Sequence, residues 1–404
     1  MRTKAPPKRA DLPSPMGKAP DKDRPKEFSH LFELDVTRGF LSWWVVFGHV
    51  LAFAGFVGNL MPSIVQIAMD GEYAVDVFMI MSGFVITKLI AEKSESYPVF
   101  ITRRFLRLYP LFFVATLIAI LVRPIYLPLL LPGQVPIPYG YNLIWASENK
   151  YFWSHVLAHL SMLHGAIPGP ILLYSGVALL GPAWSLSVEF QYYLVAPIFS
   201  FLAREFGTKG RLLLIVGCCS VAHVFSKKIE DNFQGFLPYF LALFFVGMTS
   251  YWIYAERRSN DKHLPASLIL VAGLLLYFIT NSIPLTIWVS VFAVIVSDPG
   301  SRGFSTIKSF LDRPFLRFLG KISYSTYLIH YPILWLAKGF LARVAPQMSP
   351  TAAAVSLLAI TAPLTLFAAT FLYRFVEKPG IDLGRRIFEQ PRLELAPGLS
   401  STSA

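Results

Sequence analysis

The chain has 404 residues, of which 54% are hydrophobic and only 15% charged, and its mean hydropathy is +0.53. That balance excludes an ordinary water-soluble domain and points to a polytopic membrane protein. The net charge of +12 reads as membrane topology and not as nucleic-acid binding, because Lys and Arg cluster between apolar runs.

Residues 1–30 contain no apolar core and read as a disordered basic cytoplasmic tail, not a cleavable signal. Ten spanning segments follow, at about 37–57, 73–91, 107–127, 183–203, 211–227, 235–254, 264–281, 283–297, 321–341 and 352–375. Their connections alternate between bare and basic, which supports the count and places both termini in the cytoplasm. The expected fold is therefore all-α: a bundle of about ten transmembrane helices over 31–380. Residues 124–182 are rich in Pro, Gly and Tyr and read as an extracytoplasmic loop region able to cover an outward-facing cavity. Residues 381–404 read as a short cytoplasmic tail. The two cysteines, Cys218 and Cys219, are adjacent in an apolar run, which excludes a disulfide framework and gives no metal spacing.

Ionisable groups inside apolar spans are costly and mark functional candidates. The first span, ELDVTRGFLSWWVVFGHVLAFAGF, carries Arg38 and His49. Eleven residues are close to three helical turns, so both side chains fall on nearly one face, roughly 16 Å apart along the axis. A fixed cation and a titratable imidazole thus bracket a face on which a long ligand with an anionic head could lie. Asp76, in AVDVFMIMSGFVIT, opens the second span near the outer surface. Arg104 and Arg107, in RRFLRLYP, sit at i, i+3 at the cytoplasmic start of the third span. They suit bidentate phosphate binding, although topology alone also puts arginines there. Glu189, in GPAWSLSVEFQYYL, falls one turn into the fourth span. It competes with Asp76 to orient the His49 ring, and the sequence does not choose between them. His330, in FLGKISYSTYLIHYP, is mid-span in the ninth and reads equally as a packed neutral histidine or as part of a site. His155, His159 and His164 lack a completing Cys or acid, so an amphipathic segment on the outer interface is expected there and no metal site.

Taken together, these motifs, with FVEKPG near the end, resemble the acyltransferase-3 family of multi-pass membrane acyltransferases. The resemblance runs from about Glu33 to Pro379. It implies transfer of an acyl group, usually acetyl, from acyl-CoA to a hydroxyl of a carbohydrate or related acceptor, in a bacterial inner membrane. It also implies roles residue by residue: Arg38 and His49 match the family's arginine–histidine pair, Arg104 and Arg107 its paired arginines and Glu189 the acid of its SLSVE-type motif, so that His49 is the general base, Glu189 or Asp76 its catalytic carboxylate, and Arg38, Arg104 and Arg107 the binders of acyl-CoA. No metal is implied. The partners implied are acyl-CoA, membrane lipid and a free or lipid-linked saccharide such as exopolysaccharide, lipopolysaccharide or an exported oligosaccharide. A macrolide acceptor is the alternative within the class. A transporter or flippase of a lipid-linked saccharide is the alternative outside it, although no internal repeat of the kind transporters show is found. Two departures from the family pattern are Phe190, where a second acid is common, and Trp43–Trp44 in place of small aliphatics.

Overall fold

The structure is a computed structural model that describes residues 31–56, 63–93, 95–130, 140–228, 235–260, 282–297 and 302–388. The described residues contain helices and turns and no strand. In chain order the helices are α1 Phe32–Ala54, α2 Ser63–Met69, α3 Gly71–Glu92, α4 Tyr97–Leu130, α5 Tyr141–Lys150 and α6 Phe152–Leu160. After a run of turns come α7 Trp184–Glu205, α8 Gly207–Lys228, α9 Leu237–Asn260, α10 Ile283–Val296, α11 Arg302–Leu311 and α12 Pro314–Lys321. The chain then enters α13 Ser323–Val344, α14 Pro350–Leu372, a π-helical turn at Tyr373–Glu377 and α15 Lys378–Arg386. The basic stretch 1–30, most of the tail 381–404 and the seventh expected span, 264–281, lie outside the described residues.

Among the described residues six helices are long and apolar enough to cross a bilayer: Phe32–Ala54, Gly71–Glu92, Tyr97–Leu130, Gly181–Glu205, Leu237–Arg258 and Pro350–Arg386. The protein is thus an integral membrane protein, and these helices carry six of the ten expected spans. The fifth and ninth expected spans fall on α8 and α13, each of 22 residues. Most of α13 is buried against its neighbours, which is why it tolerates His330, Lys338 and three tyrosines in place of a lipid-facing apolar surface. The eighth falls on α10, whose 14 residues reach only about 21 Å.

Two boundaries also move. α1 begins at Phe32 and not at 37, with Glu33 and Asp35 in its first turn complementing the helix dipole. α4 begins at Tyr97 and not at 107, so Arg103, Arg104 and Arg107 lie inside a continuous helix. The physical reason is that basic residues mark where the bilayer stops, and a helix need not stop there.

Close backbone approaches lock the bundle. α3 packs most extensively on α9. There a Cβ added to Gly83 would stand 2.1 Å from the Phe244 carbonyl oxygen, and one added to Gly247 would stand 1.9 Å from that of Ile80. Small residues replace the hydrophobic effect as the cause of tight helix pairing in lipid. α1 meets the end of α12 in the same way, with a Cβ on Gly320 falling 2.4 Å from the Asp35 carbonyl oxygen. Gly247→Val is expected to destabilise the protein by about 2 kcal/mol, seen as a lowered melting temperature in detergent. Gly217→Val, where an added Cβ meets nothing within 4 Å, serves as the control.

Candidate active site

α1 and α13 run side by side in the same direction. Gly39 rests on Gly320 near their starts, His49 meets His330, and Phe53 packs on Trp335 at 4.4 Å between ring centroids. His49 Nδ1 lies 2.9 Å from His330 Nε2, and the rings stack at 5.2 Å with 17° between their planes. His330 is fully buried, and its Nδ1 lies 3.1 Å from the Thr326 carbonyl oxygen. A carbonyl only accepts, so His330 Nδ1 carries the hydrogen. In a neutral His330 the Nε2 is then a lone pair, and it accepts from His49 Nδ1–H. His49 Nε2 is left as a bare lone pair. The chain of bonds fixes one tautomer of His49 and leaves a basic nitrogen at its end.

The sequence offered Glu189 or Asp76 as the ring's partner, but the structure gives His49 Nδ1 to His330. The cause is where α7 starts. The Tyr327 hydroxyl donates to the Pro182 carbonyl (2.9 Å) and bonds Ser185 Oγ (2.8 Å), while a Cβ on Gly181 would fall 2.6 Å from the Tyr331 hydroxyl. α7 therefore opens beside the middle of α13 and not at the bundle's end. Glu189, one turn on, is carried away from His49. Its Oε1 accepts from Ser82 Oγ (3.0 Å) and from the Tyr193 hydroxyl. Asp76 sits near the start of α3, within electrostatic reach of Asp70 and Glu72.

Arg38, Arg104 and Arg107 gather at the other end of this face. All three are half-buried. Arg104 and Arg107 lie within electrostatic reach of Glu189 and Tyr193, and Arg38 and Arg107 within reach of Glu377. None of the three forms an ion pair or a hydrogen bond among the described residues, and Arg104 Nε is buried without a partner. Arg103 differs: it pairs with Glu95 (2.5 Å) and donates to the Gly384 carbonyl (3.2 Å). Three guanidiniums with no protein anion at bonding distance among the described residues suit an external oxyanion.

Sequence reasoning left two residues without an assigned role. His330 was named but not paired. Glu377, only 3% exposed, accepts from Ser325 Oγ (2.6 Å) beside the arginines. Its signal was a carboxylate at the end of the last apolar run, in FVEKPG.

The loop histidines also depart from expectation. His155, His159 and His164 are buried, while Trp153 and Leu157 on the same segment are exposed. The segment is inverted relative to an interfacial helix: its polar face turns inward and its apolar face outward. His159 and His164 stack on each other at 4.1 Å and against Phe112. No group of three metal-ligating side chains occurs among the described residues. An apolar groove of about 640 Å³ between α1, α2 and α14 is lined by Trp43, Trp44 and Leu358. It lies on the face of α1 turned away from Arg38 and His49, so it is separate from the site.

The acyltransferase domain family matches residues 31–374. The chain belongs to the acyltransferase-3 family. It is 24% identical over 351 residues to the acyltransferase MdmB of Streptomyces mycarofaciens, covering 80% of this chain and 84% of that one. It is 24% identical over 343 residues to the peptidoglycan O-acetyltransferase OatA of Listeria monocytogenes, covering 77% of this chain and 51% of that one. The chain thus spans about half the length of OatA. No solved structure matches it. The protein is a membrane acyltransferase, which answers the choice between enzyme and transporter.

Two outcomes test the site's geometry. In spectra of protein labelled with ¹⁵N-histidine at neutral pH, His49 is expected to show a protonated Nδ1 and a bare Nε2, and His330→Phe to release the other tautomer. The second outcome concerns His159. Burial holds it down to about 4, from the ordinary 6.5. The unfolded chain therefore binds this proton first, and stability present above 6.5 is lost as pH falls toward 4. His159→Phe is expected to flatten that loss, on the order of 3 kcal/mol, in a melting series between those pH values.

Proposed function

We propose that this protein moves an acyl group, in the first instance acetyl, from acyl-CoA to a hydroxyl of a carbohydrate acceptor. The observation that carries the reading is one face of α1 with a bare imidazole nitrogen at one end and three unpaired arginines at the other. The arginine end is taken as cytoplasmic, in agreement with the basic connections, and the membrane as a bacterial inner membrane. Support for an acetyl group and a glycan comes from the name of OatA.

Arg38, Arg104 and Arg107 hold the phosphates of acyl-CoA by charge-assisted hydrogen bonds. Its pantetheine arm runs along α1 toward His49. The acceptor enters from the opposite end. His49 Nε2 takes the hydroxyl proton as the acceptor oxygen attacks the thioester carbonyl carbon. The carbon–sulfur bond then breaks, and the departing thiolate takes the proton back from His49 Nε2. An ester and free CoA result, and neutral His49 is restored. His330 holds the ring in the competent tautomer throughout. Glu189 and Glu377 act from the arginine end by setting its charge. Asp76 lies nearer the acceptor's side of α3 and is the carboxylate placed to meet the acceptor.

Purified protein supplied with radiolabelled acetyl-CoA and a membrane and polysaccharide extract is expected to label an acceptor. His49→Ala is expected to lower transfer about 10²- to 10⁴-fold while CoA binding persists in calorimetry. Arg107→Gln is expected to raise KM for acetyl-CoA roughly tenfold with a smaller change in kcat. Equal activity of His49→Ala and wild type would overturn the scheme.

A further inference from the structure

Lys338 is a cation that the reaction scheme does not use. It lies on α13 two turns beyond His330, in a membrane-embedded helix, and is 5% exposed. It forms no ion pair or hydrogen bond among the described residues. A lysine so largely covered inside a helix bundle, with no protein partner for its ammonium among the described residues, is costly and is retained for a use. Snorkelling to the bilayer surface, the common fate of such lysines, leaves the head exposed. Here the outward face of α13 is marked by Phe340, 55% exposed. Two residues are about 200° of helix, so Lys338 lies on the opposite, inner side.

The same helical arithmetic places Lys338 within about 20° of Tyr331 and 80° of His330, roughly 12 Å further along the axis. That is the end of the bundle away from the arginines, on the approach to His49. The neighbouring wall is aromatic. Trp335 touches Phe53, stacks on Tyr126 at 5.1 Å, and meets Tyr141 and Trp145 at 5.0 and 5.2 Å. The acid within electrostatic reach of Tyr126 and Tyr141 is Glu148. Its carboxylate is already committed to Arg123 (2.9 Å) and to the Leu179 N–H (2.7 Å). Among the described residues, protein charge therefore leaves this ammonium unanswered.

We propose that Lys338 and the aromatic wall around Trp335 form the acceptor subsite, and that the acceptor carries an anionic oxyacid group, a carboxylate or a phosphate, bound by the Lys338 ammonium. This rests on the acyl-transfer reading above and adds the acceptor's chemical class. Aromatic faces hold the acceptor's ring carbons, and one fixed charge sets its register against His49. A neutral acceptor leaves the ammonium without an anionic partner, so the site favours an anionic one.

The test uses full-length protein in nanodiscs of zwitterionic lipid, with radiolabelled acetyl-CoA and the membrane and polysaccharide extract as acceptor. The labelled product is resolved by anion exchange at neutral pH. Label is expected on an anionic product. Carbodiimide amidation that removes the retention identifies a carboxylate, and phosphatase or mild acid that removes it identifies a phosphate. Lys338→Met is expected to raise KM for that product's unlabelled acceptor roughly 10- to 100-fold. kcat, CoA binding and melting temperature stay close to wild type, and Lys338→Arg recovers most of the affinity. Label on a neutral product overturns the proposal and leaves the acyltransferase reading standing. So does a Lys338→Met variant that binds CoA and has an unchanged acceptor KM. A Lys338→Met effect that appears only when anionic lipid is added assigns the ammonium to a headgroup and also overturns it. No label on any acceptor, with CoA still bound, overturns the acyl-transfer reading itself.

Discussion

A hydrogen bond between two imidazoles sets how the centre of this bundle must lie. For His49 Nδ1 to stand 2.9 Å from His330 Nε2, α1 and α13 must run parallel in register. The glycine contact at Gly39 and Gly320 and the Phe53–Trp335 contact hold that register on either side of the pair. The pair ends on the Thr326 carbonyl and not on a carboxylate. That choice suits the environment. A carboxylate beside His49 would need a second charge in the membrane interior, with a desolvation cost of several kcal/mol. A backbone carbonyl fixes the tautomer without adding charge. The carbonyl of a residue four before a histidine is already engaged in the helix ladder and has a second lone pair to offer.

Charge at the other end is handled differently. Arg38, Arg104 and Arg107 share their region with Glu189 and Glu377, yet no guanidinium reaches bonding distance of either acid among the described residues. The acids are held by hydroxyls instead: Glu189 by Ser82 and Tyr193, Glu377 by Ser325. Those bonds tether each carboxylate where it offsets the arginines' mutual repulsion without closing on them. A direct ion pair would satisfy the guanidinium donors and cost more to open than an exposed one, because both charges are partly desolvated. Indirect neutralisation lets three like charges coexist and keeps their donors available to a ligand.

Much of this was legible in the chain. Periodicity and apolar length located α3, α7 and α14 to within three residues and α1 and α9 to within about six, and the spacing of Arg38 and His49 predicted their common face. What was not legible depends on contacts between distant segments. The partner of His49 lies 281 residues away, and no local pattern could prefer His330 over Glu189 or Asp76. Nor could a local pattern show that the turns before α7 pack into the bundle, where the Pro182 carbonyl accepts from Tyr327 beside α13 and Glu189 meets Ser82 and Tyr193. The loop histidines were misread for a related reason. The pattern in FWSHVLAHL is amphipathic, but its sense depends on whether the surroundings are water or lipid, and the burial of His155 and His159 shows that the polar side faces inward.

The inverted loop and the start of α7 beside the middle of α13 together give the bundle two unequal halves. On the arginine side, α4, α7 and α13 run past one another as full helices, and their side chains build a charged floor. On the other side the layer that faces His330 is made of short helices and turns, joined by the bonds of Ser147 to Leu173 and of Gln191 to Gly235. Turns expose backbone groups that lipid cannot satisfy, so they persist at this depth only where protein or water covers them. The aromatic wall around Trp335 supplies that cover on the α13 side. A bundle of uniform helices would present His49 to a narrow seam between cylinders. Replacing the upper part of one helix by turns instead sets Gly181 against the Tyr331 hydroxyl and the Pro182 carbonyl against that of Tyr327, beside the imidazole pair. On the acyl-transfer reading proposed above, the two ends of one helix face would serve different molecules: an anionic donor at the arginines and the acceptor at the opposite end.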